Sequence, residues 1–321
     1  MTSPGYRENR PHRFGRVLVT GASGFLGQPL VGCLLESDYK VTALGMRREK
    51  SPFAPIVEYR CVNLADRSAS LEFLLPWRWD AVVHLAGPLP AKEGSWSDDC
   101  RMLDQHCNIT LNLCLAIDPL WAGRLVHASS MTVYGYPESL PVDETHPRKP
   151  TDGYGMAKCL AEDIVLTAGQ HKKLDCWLLR LPGLFCETRH SGALYHFMRA
   201  AACGRPIVIS APEPTPWDVL HRDDAVEAIL RSLAATTRNP GPINISYGSP
   251  VELVGMAERI SAWGVRRVSV ENPSGTQHPV FQMNIEKARG LLGWPPASLE
   301  GRISSLWNTL ACELQSGTPV A

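Results

Sequence analysis

The chain has 321 residues, of which 44% are hydrophobic and 20% charged. This composition excludes a disordered or fibrous protein and allows one large core or two modest ones. Its 32 basic and 32 acidic residues cancel, so we expect neither nucleic acid nor an anionic membrane surface as a partner. Because no run of about 18 apolar residues occurs and residues 1–13 (MTSPGYRENRPHR) read as a polar tail without a signal sequence, the sequence predicts a cytosolic protein.

The 10 cysteines include no CxxC pair. This argues against a zinc ribbon or a thioredoxin-type motif, so we expect reduced thiols and no bound metal. Cys100, Cys107 and Cys114 are spaced by seven residues and would share one face of a helix. Small, soft side chains in that arrangement favour packing in a core or a subunit contact over a metal or redox role.

Apolar runs bounded by turn signals recur along the first part of the chain. In order they are RVLVT (16–20), KVTAL (40–44), EYRCV (58–62), AVVHLA (81–86), RLVHASS (124–130) and CWLLRL (176–181). Helix-length segments separate them, which is typical of a doubly wound α/β fold with a parallel sheet. After residue 181 the pattern is less regular and richer in proline, which predicts a smaller second domain.

A glycine-rich segment joins the first predicted strand to the helix FLGQPLVGCLLES (25–37). Glycines at a tight turn, at a close approach to pyrophosphate and at a helix contact, followed by the free amides of a helix N-terminus, indicate a dinucleotide site. We predict cofactor contacts by Gly21, Ser23, Gly24, Phe25, Leu26 and Gly27.

The second predicted strand ends with Leu44, Gly45 and Met46, followed by Arg47 and Arg48. An acidic residue about 20 residues after the glycines normally binds the ribose 2'-hydroxyl of NAD, whereas arginine suits a 2'-phosphate. Two guanidinium groups can pair with a phosphate dianion. The sequence therefore favours NADP, with NAD possible; the alternative is that Arg47 and Arg48 are ordinary solvated residues.

Tyr154 and Lys158 lie four residues apart at the start of a predicted helix, so they share a face. An ammonium group beside a phenol can make it a useful acid or base near neutral pH. Alone, such a pair would usually be solvated. Ser129 and Ser130 end the fifth predicted strand, where a hydroxyl could hydrogen-bond a carbonyl that is being reduced.

Six motifs, in this order and spacing, resemble the extended short-chain dehydrogenases/reductases, the group that includes the NAD-dependent epimerase/dehydratases of nucleotide sugars. They are TGASGFLG (20–27), HLAG (84–87), SSMTVYG (129–135), YGMAK (154–158), LHRDDAVEA (220–228) and IEKARGLLGW (285–294). The resemblance implies that Tyr154 is the proton donor or acceptor. It also implies that Lys158 binds the nicotinamide ribose and lowers the pKa of Tyr154, and that Ser130 orients the substrate oxygen.

The resemblance also implies the remaining cofactor contacts and the domain limits. Beside Tyr154 and Lys158, the implied contacts are Asn63, Leu64, Leu85, Ala86, Gly87, Asn108, Pro182 and Leu184. Because the motif with His221 and Asp224 returns the chain to the first domain, we expect a Rossmann domain over residues 14–181 and 218–246. Residues 182–217 and 247–321 would form a smaller α/β substrate domain.

Departures from the family pattern narrow the reaction. Met131 and Thr132 stand where sugar dehydratases have an Asp-Glu pair, and neither can perform that proton chemistry. The cysteine of the fucose-forming epimerase-reductases is also missing, and a catalytic role for Cys186 or His190 is the less favoured interpretation. Trp217 replaces an arginine that holds the substrate diphosphate in many members; Arg189, Arg199 or Arg205 could substitute.

These observations predict an NADP-dependent ketoreductase that transfers hydride to or from a carbonyl or secondary alcohol of a sugar, with or without an attached nucleotide. The alternative is an epimerase that holds its cofactor tightly, and a non-catalytic dinucleotide-binding protein is less favoured. By resemblance, we expect a homodimer formed through the helices near residues 97–117 and 154–167.

Overall fold

The computed structural model describes residues 15–46, 57–90, 95–117, 123–209, 216–264, 267–271, 280–295 and 297–315. Its strands, in chain order, are β1 (Arg16–Thr20), β2 (Lys40–Gly45), β3 (Glu58–Cys61), β4 (Ala81–His84), β5 (Arg124–Ser130), β6 (Asp175–Leu181), β7 (Gly183–Phe185), β8 (Ile207–Val208), β9 (Pro216–Trp217), β10 (Val219–His221), β11 (Gly241–Asn244), β12 (Val251–Glu252) and β13 (Val270–Glu271).

The central sheet has seven strands in the order β11-β6-β5-β4-β1-β2-β3, and all six neighbouring pairs are parallel. From β1 the strand order runs to one side through β2 and β3, and from β4 it runs to the other side. The carboxyl ends of β1 and β4 therefore flank the topological switch point, where doubly wound folds bind ligands. The predicted α/β Rossmann fold is confirmed. The seventh strand, β11, has the short sequence GPIN, which carries no strong strand signal.

The helices are α1 (Gly27–Glu36), α2 (Arg67–Leu74), α3 (Trp96–Ala116), α4 (Gly153–Lys172), α5 (Ala193–Ala202), α6 (Arg222–Ala234), α7 (Leu253–Trp263), α8 (Glu286–Leu292) and α9 (Leu299–Gln315), with a 3-10 turn at Met131–Tyr134. A capping box of Ser95 and Asp98 starts α3, and the Asp152 carboxylate caps α4. Among the described helices, none is long and apolar enough to cross a membrane.

Helices cover both faces of the sheet, which is why its central strands are apolar at nearly every position. Val17 and Val19 of β1 pack on the side of α1 and α6, whereas Leu18 packs on the side of α2, α3 and α4. At the N-terminal end of β5 the buried Arg124 pairs with Asp175 at 2.7 Å and donates to the carbonyl of Ala235 at 2.9 Å. This pair ties the end of α6 to the sheet.

A second apolar core lies outside the main sheet. Met198 of α5, Ile260 of α7 and Ile303 of α9 belong to it. A separate core of this kind is expected of a smaller second domain, and the domain limits given above stay a prediction. The helix α8 packs differently from the rest of residues 247–321, because Ala288 and Leu292 belong to the core of the main sheet.

Candidate active site

A cleft of about 430 Å³ lies beyond the carboxyl ends of β1, β2 and β4. Gly21, which lines it, has φ +68°, and a Cβ atom there would lie 2.8 Å from the backbone nitrogen of Ala86, so a side chain would collide with the backbone that follows β4 and the turn requires glycine. Eight of the predicted cofactor residues line this cleft: Gly21, Ser23, Gly24, Asn63, Leu64, Leu85, Ala86 and Gly87. The glycine-rich turn and the apolar walls fit a dinucleotide.

One end of the cleft bears on the choice of cofactor. A Cβ atom at Gly45 would overlap the hydroxyl of Tyr59 and lie 2.8 Å from Oγ of Ser23, so two hydroxyl groups border the place where a side chain ending β2 would project. Among the described residues that line the cleft, none is acidic. Arg47 and Arg48, the predicted 2'-phosphate ligands, lie outside the described residues.

Two guanidinium groups cover the predicted phosphate-binding turn from the second half of the chain. The ring of Phe25 lies 5.0 Å from Cζ of Arg189 and 5.6 Å from Cζ of Arg222. Arg222 pairs with Asp223 at 3.0 Å, whereas Arg189 donates to Oγ of Ser191 and to the Leu184 carbonyl. The sequence alone did not predict these contacts with Phe25, because they join segments more than 160 positions apart in a chain of 321 residues.

The hydroxyl of Ser130 is prepared to donate a hydrogen bond. Ser130 is buried at the end of β5, and its Oγ accepts hydrogen bonds from Oγ1 of Thr132 at 3.0 Å and from the backbone nitrogen of Thr132 at 3.2 Å. Both contacts use the oxygen as acceptor, so the Ser130 proton is left for another oxygen.

Tyr154 and Lys158 lie on the first turns of α4. Nζ of Lys158 donates to the carbonyl of Ala128 at 2.9 Å, two residues before Ser130, and lies 5.7 Å from the centre of the Tyr154 ring. The structure therefore brings the phenol, the ammonium group and the end of β5 together.

Burial sets the proton affinities of this pair. It raises the pKa of Tyr154 to about 12, an effect to which Asp152 adds and which the guanidinium of Arg189 opposes. Burial lowers the pKa of Lys158 to about 8, opposed by the carboxylate of Glu162. The cation that lowers the pKa of Tyr154 here is Arg189; the corresponding effect of Lys158 stays a prediction.

Glu162 gives the adjacent Ser129 and Ser130 different surroundings, because it binds only Ser129 of the two. Its Oε1 accepts from Oγ of Ser129 at 2.6 Å, and its Oε2 pairs with Arg180 at 2.7 Å. The hydroxyl of Tyr134 accepts from Arg180 at 2.8 Å. Ser129 is thus bound to α4 and leaves Ser130 as the hydroxyl available to a substrate.

Three buried histidines lie near Lys158 and were not predicted from the sequence. His84 of β4 hydrogen-bonds with Oγ1 of Thr20 at 2.8 Å, and its ring lies 5.1 Å from that of His127 of β5. His106 of α3 packs its ring edge-on against Tyr154 at 5.9 Å. His84 belongs to the HLAG motif, whereas His106 and His127 lie outside the six motifs, so nothing in the sequence indicated that the three rings would lie near Lys158.

The structure places Asn108 away from the cleft. Its side-chain amide donates to Oδ1 of Asp104 at 2.8 Å along α3, while the α3 side chains that line the cleft are Gln105 and Ile109. The buried amide on α3 is Asn112, which donates to the carbonyl of Leu64 at 2.9 Å. A role for Asn108 in binding the cofactor stays a prediction without a contact to support it.

Other predicted residues lie around the second core and the β6–β7 connection. Pro182 is buried just before β7, and Leu184 is half-buried within it. Sγ of Cys186 lies 3.3 Å from Oγ1 of Thr188, and the exposed His190 stacks on Tyr195 at 5.4 Å. Trp217 pairs with Val251 between β9 and β12. None of these placements assigns a catalytic role.

Residues 17–246 match the family model described as "NAD dependent epimerase/dehydratase family". The chain belongs to this family. It is 30% identical over 313 residues to the UDP-glucose 4-epimerase of Azospirillum brasilense, with 88% of this chain and 87% of the relative covered. It is 28% identical over 325 residues to the dTDP-6-deoxy-L-talose 4-dehydrogenase (NAD(P)(+)) of Kitasatospora kifunensis, with 95% and 97% covered.

Solved structures share the fold of this chain. The UDP-glucose 4-epimerase of Thermotoga maritima with UDP-glucose has a TM-score of 0.78 at 20% identity and covers 93% of this chain and 99% of its own. A short-chain dehydrogenase/reductase superfamily protein of Agrobacterium tumefaciens with bound NAD has a TM-score of 0.80 at 21% identity, with 94% and 99% covered. From the family model and the two relatives, the chain is an NAD(P)-dependent enzyme of the extended short-chain dehydrogenase/reductase type.

Proposed function

We propose that this enzyme is an NADP-dependent oxidoreductase that acts on a carbonyl or secondary alcohol of a nucleotide sugar. The observation that carries the proposal is that Lys158 lies between the ring of Tyr154 and the Ala128 carbonyl of β5, two residues before the Ser130 hydroxyl, whose proton is not used by its hydrogen bonds with Thr132. Relatives named as acting on UDP- and dTDP-linked sugars support the substrate class.

The residues divide the proton chemistry among them. The Ser130 hydroxyl donates to the substrate oxygen and holds it, and the phenol of Tyr154 donates its proton to that oxygen as the carbonyl is reduced. The high pKa of Tyr154 keeps this proton in place until charge develops on the oxygen. The ammonium of Lys158 favours the phenolate that remains. A bound nicotinamide supplies or accepts the hydride.

The cleft supports NADP over NAD. A 2'-phosphate adds negative charge at the end of β2, where Gly45 offers no carboxylate to repel it and the hydroxyl of Ser23 can donate. In a site built for NAD, an acidic side chain in this region would accept from the ribose hydroxyl instead.

The relatives favour a second function, the 4-epimerisation of a nucleotide sugar with a tightly held cofactor. A cofactor assay distinguishes a reductase from an epimerase. A reductase oxidises added NADPH when it is supplied with a nucleotide-linked keto sugar. An epimerase interconverts UDP-glucose and UDP-galactose without added cofactor and releases a dinucleotide on denaturation.

The decisive test of catalysis is Tyr154→Phe, with Tyr136→Phe as the matched control because Tyr136 is 51% exposed. We expect Tyr154→Phe to abolish turnover while its dissociation constant for NADPH, measured by fluorescence titration, stays within about threefold of the wild type. Tyr136→Phe should retain full activity. Unchanged turnover in Tyr154→Phe would refute the proposed chemistry.

We further propose that the enzyme is a homodimer that pairs through α3 and α4. Leu111 and Leu115 of α3, and Met156 and Leu160 of α4, are each 39–45% exposed, and each pair is spaced to share one helix face. Of the three spaced cysteines, Cys114 is buried in the core and Cys100 is exposed. Leu160→Glu should shift the mass measured by light scattering from dimer to monomer.

A further inference from the structure

His106 occupies a defined seat between the cleft and Tyr154. Its Nε2 lies 3.0 Å from the carbonyl of Pro88, and because a carbonyl can only accept, Nε2 carries the proton. The imidazole fits because residue 87 is a glycine: a Cβ atom on Gly87 would lie 2.7 Å from Nδ1 and closer still to Cε1. The ring is 1% exposed, so packing and one hydrogen bond fix its orientation.

The ring of His106 packs against the phenol ring of Tyr154. The two ring centres are 5.9 Å apart with an interplanar angle of 70°, an edge-to-face geometry that aromatic rings favour. Gly87 itself lines the cleft. A rigid chain of contacts therefore runs from the Pro88 carbonyl through His106 to Tyr154.

We propose that His106 is a positioning residue for Tyr154: its imidazole, held by Pro88 and seated on Gly87, fixes the direction in which the phenol presents its proton to the cleft. This inference rests on the proposed role of Tyr154 as the acid.

The charge state of the imidazole suits this role. Burial and the ammonium of Lys158 lower the pKa of His106 to about 4, so it remains neutral near neutral pH. The charged groups that shift the pKa of Tyr154 are Asp152, the N-cap of α4, and Arg189 after β7, and Nζ of Lys158 lies 5.7 Å from the centre of its ring. A neutral ring covers the phenol without adding a cation to this set, so the tyrosine keeps its proton.

The test compares His106→Ala and His106→Phe with a matched control, His146→Ala. His146 packs edge-on against Tyr134 at 5.8 Å and 85°, which is the same contact outside the cleft. With dTDP-6-deoxy-L-talose and UDP-glucose as probe substrates, we expect His106→Ala to lower kcat by about tenfold or more. Its Kd for NADPH should change by less than about threefold. His106→Phe should retain more of kcat than His106→Ala, and His146→Ala should match the wild type.

Gly87→Ala supplies a second, independent measurement. Because Gly87 also lines the cleft, the measured quantity is the coupling between the two changes: Gly87→Ala should lower kcat by a larger factor in the wild type, where the added methyl displaces His106, than in His106→Ala, where the methyl has room. A direct readout that needs no substrate is the ultraviolet titration of Tyr154, isolated by subtracting the matching Tyr154→Phe protein. Loss of the covering ring in His106→Ala should move this titration toward the ordinary tyrosine value of about 10.

The outcomes separate this inference from the proposed function. If Tyr154→Phe is inactive but His106→Ala keeps kcat within twofold of the wild type and its phenol titrates unchanged, the positioning role is wrong and the catalytic proposal stands. If His106→Ala and His106→Phe both weaken NADPH binding as much as they lower kcat, the ring only supports the cleft and the inference is overturned. Turnover in Tyr154→Phe would overturn both.

Discussion

Gly45→Asp should reverse the cofactor preference, because it places a carboxylate at the end of β2, where the nearest side-chain groups are the hydroxyls of Tyr59 and Ser23. Two unit charges about 4 Å apart repel by about 1 kcal/mol in water and about 4 kcal/mol at the effective dielectric near a protein surface. That is a loss of about fivefold to about a thousandfold in NADPH affinity. NADH should bind at least as well as before, because the carboxylate can accept from the ribose 2'-hydroxyl.

The side chain added at residue 45 must also displace the hydroxyl of Tyr59, so charge and size have to be separated. Gly45→Asn has the size of aspartate without its charge and is the matched control. Fluorescence titration of each protein with NADPH and NADH gives the ratio of the two dissociation constants. We expect Asp to change this ratio strongly and Asn to leave it nearly unchanged. Equal losses for both cofactors in Gly45→Asp would show that the 2' position does not lie at Gly45.

Three further outcomes follow from buried charges and polar groups. Arg124→Ala leaves Asp175 buried without its partner and should reduce the free energy of unfolding in urea by about 3–5 kcal/mol; a change below about 1 kcal/mol would contradict this. His127 has no hydrogen-bond partner among the described residues and its pKa lies well below 6.5. The unfolded state therefore binds more protons below about pH 6.5, so the free energy of unfolding falls as pH falls. His127→Leu should raise the free energy of unfolding by about 1–3 kcal/mol at pH 7 and weaken its decline in acid. A lower free energy of unfolding at pH 7 would instead mean that His127 has a hydrogen-bond partner. The pKa of Lys158, about 8, predicts that kcat/KM declines as pH rises through about 8 when the ammonium loses its proton; a decline that starts only above pH 10 would exclude Lys158 as its cause.

The parallel sheet could be predicted because each central strand must be apolar on both faces. β1 and β5 have the predicted limits, Arg16–Thr20 and Arg124–Ser130, since turn residues bound both runs. β11 could not be predicted in the same way: its GPIN sequence contains two residues that disfavour strands. It forms a strand because β6 offers a parallel partner beside it, which is a property of the tertiary fold.

The candidate site divides along the same line. Spacing along one helix is a local property, so Tyr154 and Lys158 could be paired from the sequence. The family resemblance implied Ser130 in place of Ser129, but the physical reason lies in another element, because Glu162 of α4 accepts a hydrogen bond from Ser129. The sequence also did not show which side chains of α3 face the site. Asn108 matches a family motif, yet the residue that contacts Tyr154 is His106, two positions earlier. Two residues on a helix differ by about 200° in direction.

The buried ammonium group of Lys158 affects the protonation of the histidines around it. Burial alone would favour neutral Lys158, but Glu162 and the Ala128 carbonyl support its charged form. The same charge contributes to the low pKa values of His84 and His106, about 3 and about 4. The imidazoles therefore stay neutral and serve as hydrogen-bonding and packing groups instead of competing cations. The buried histidines can thus lie near the end of β5 while Lys158 keeps its charge at the Ala128 carbonyl, beside the ring of Tyr154, where a phenolate would need it.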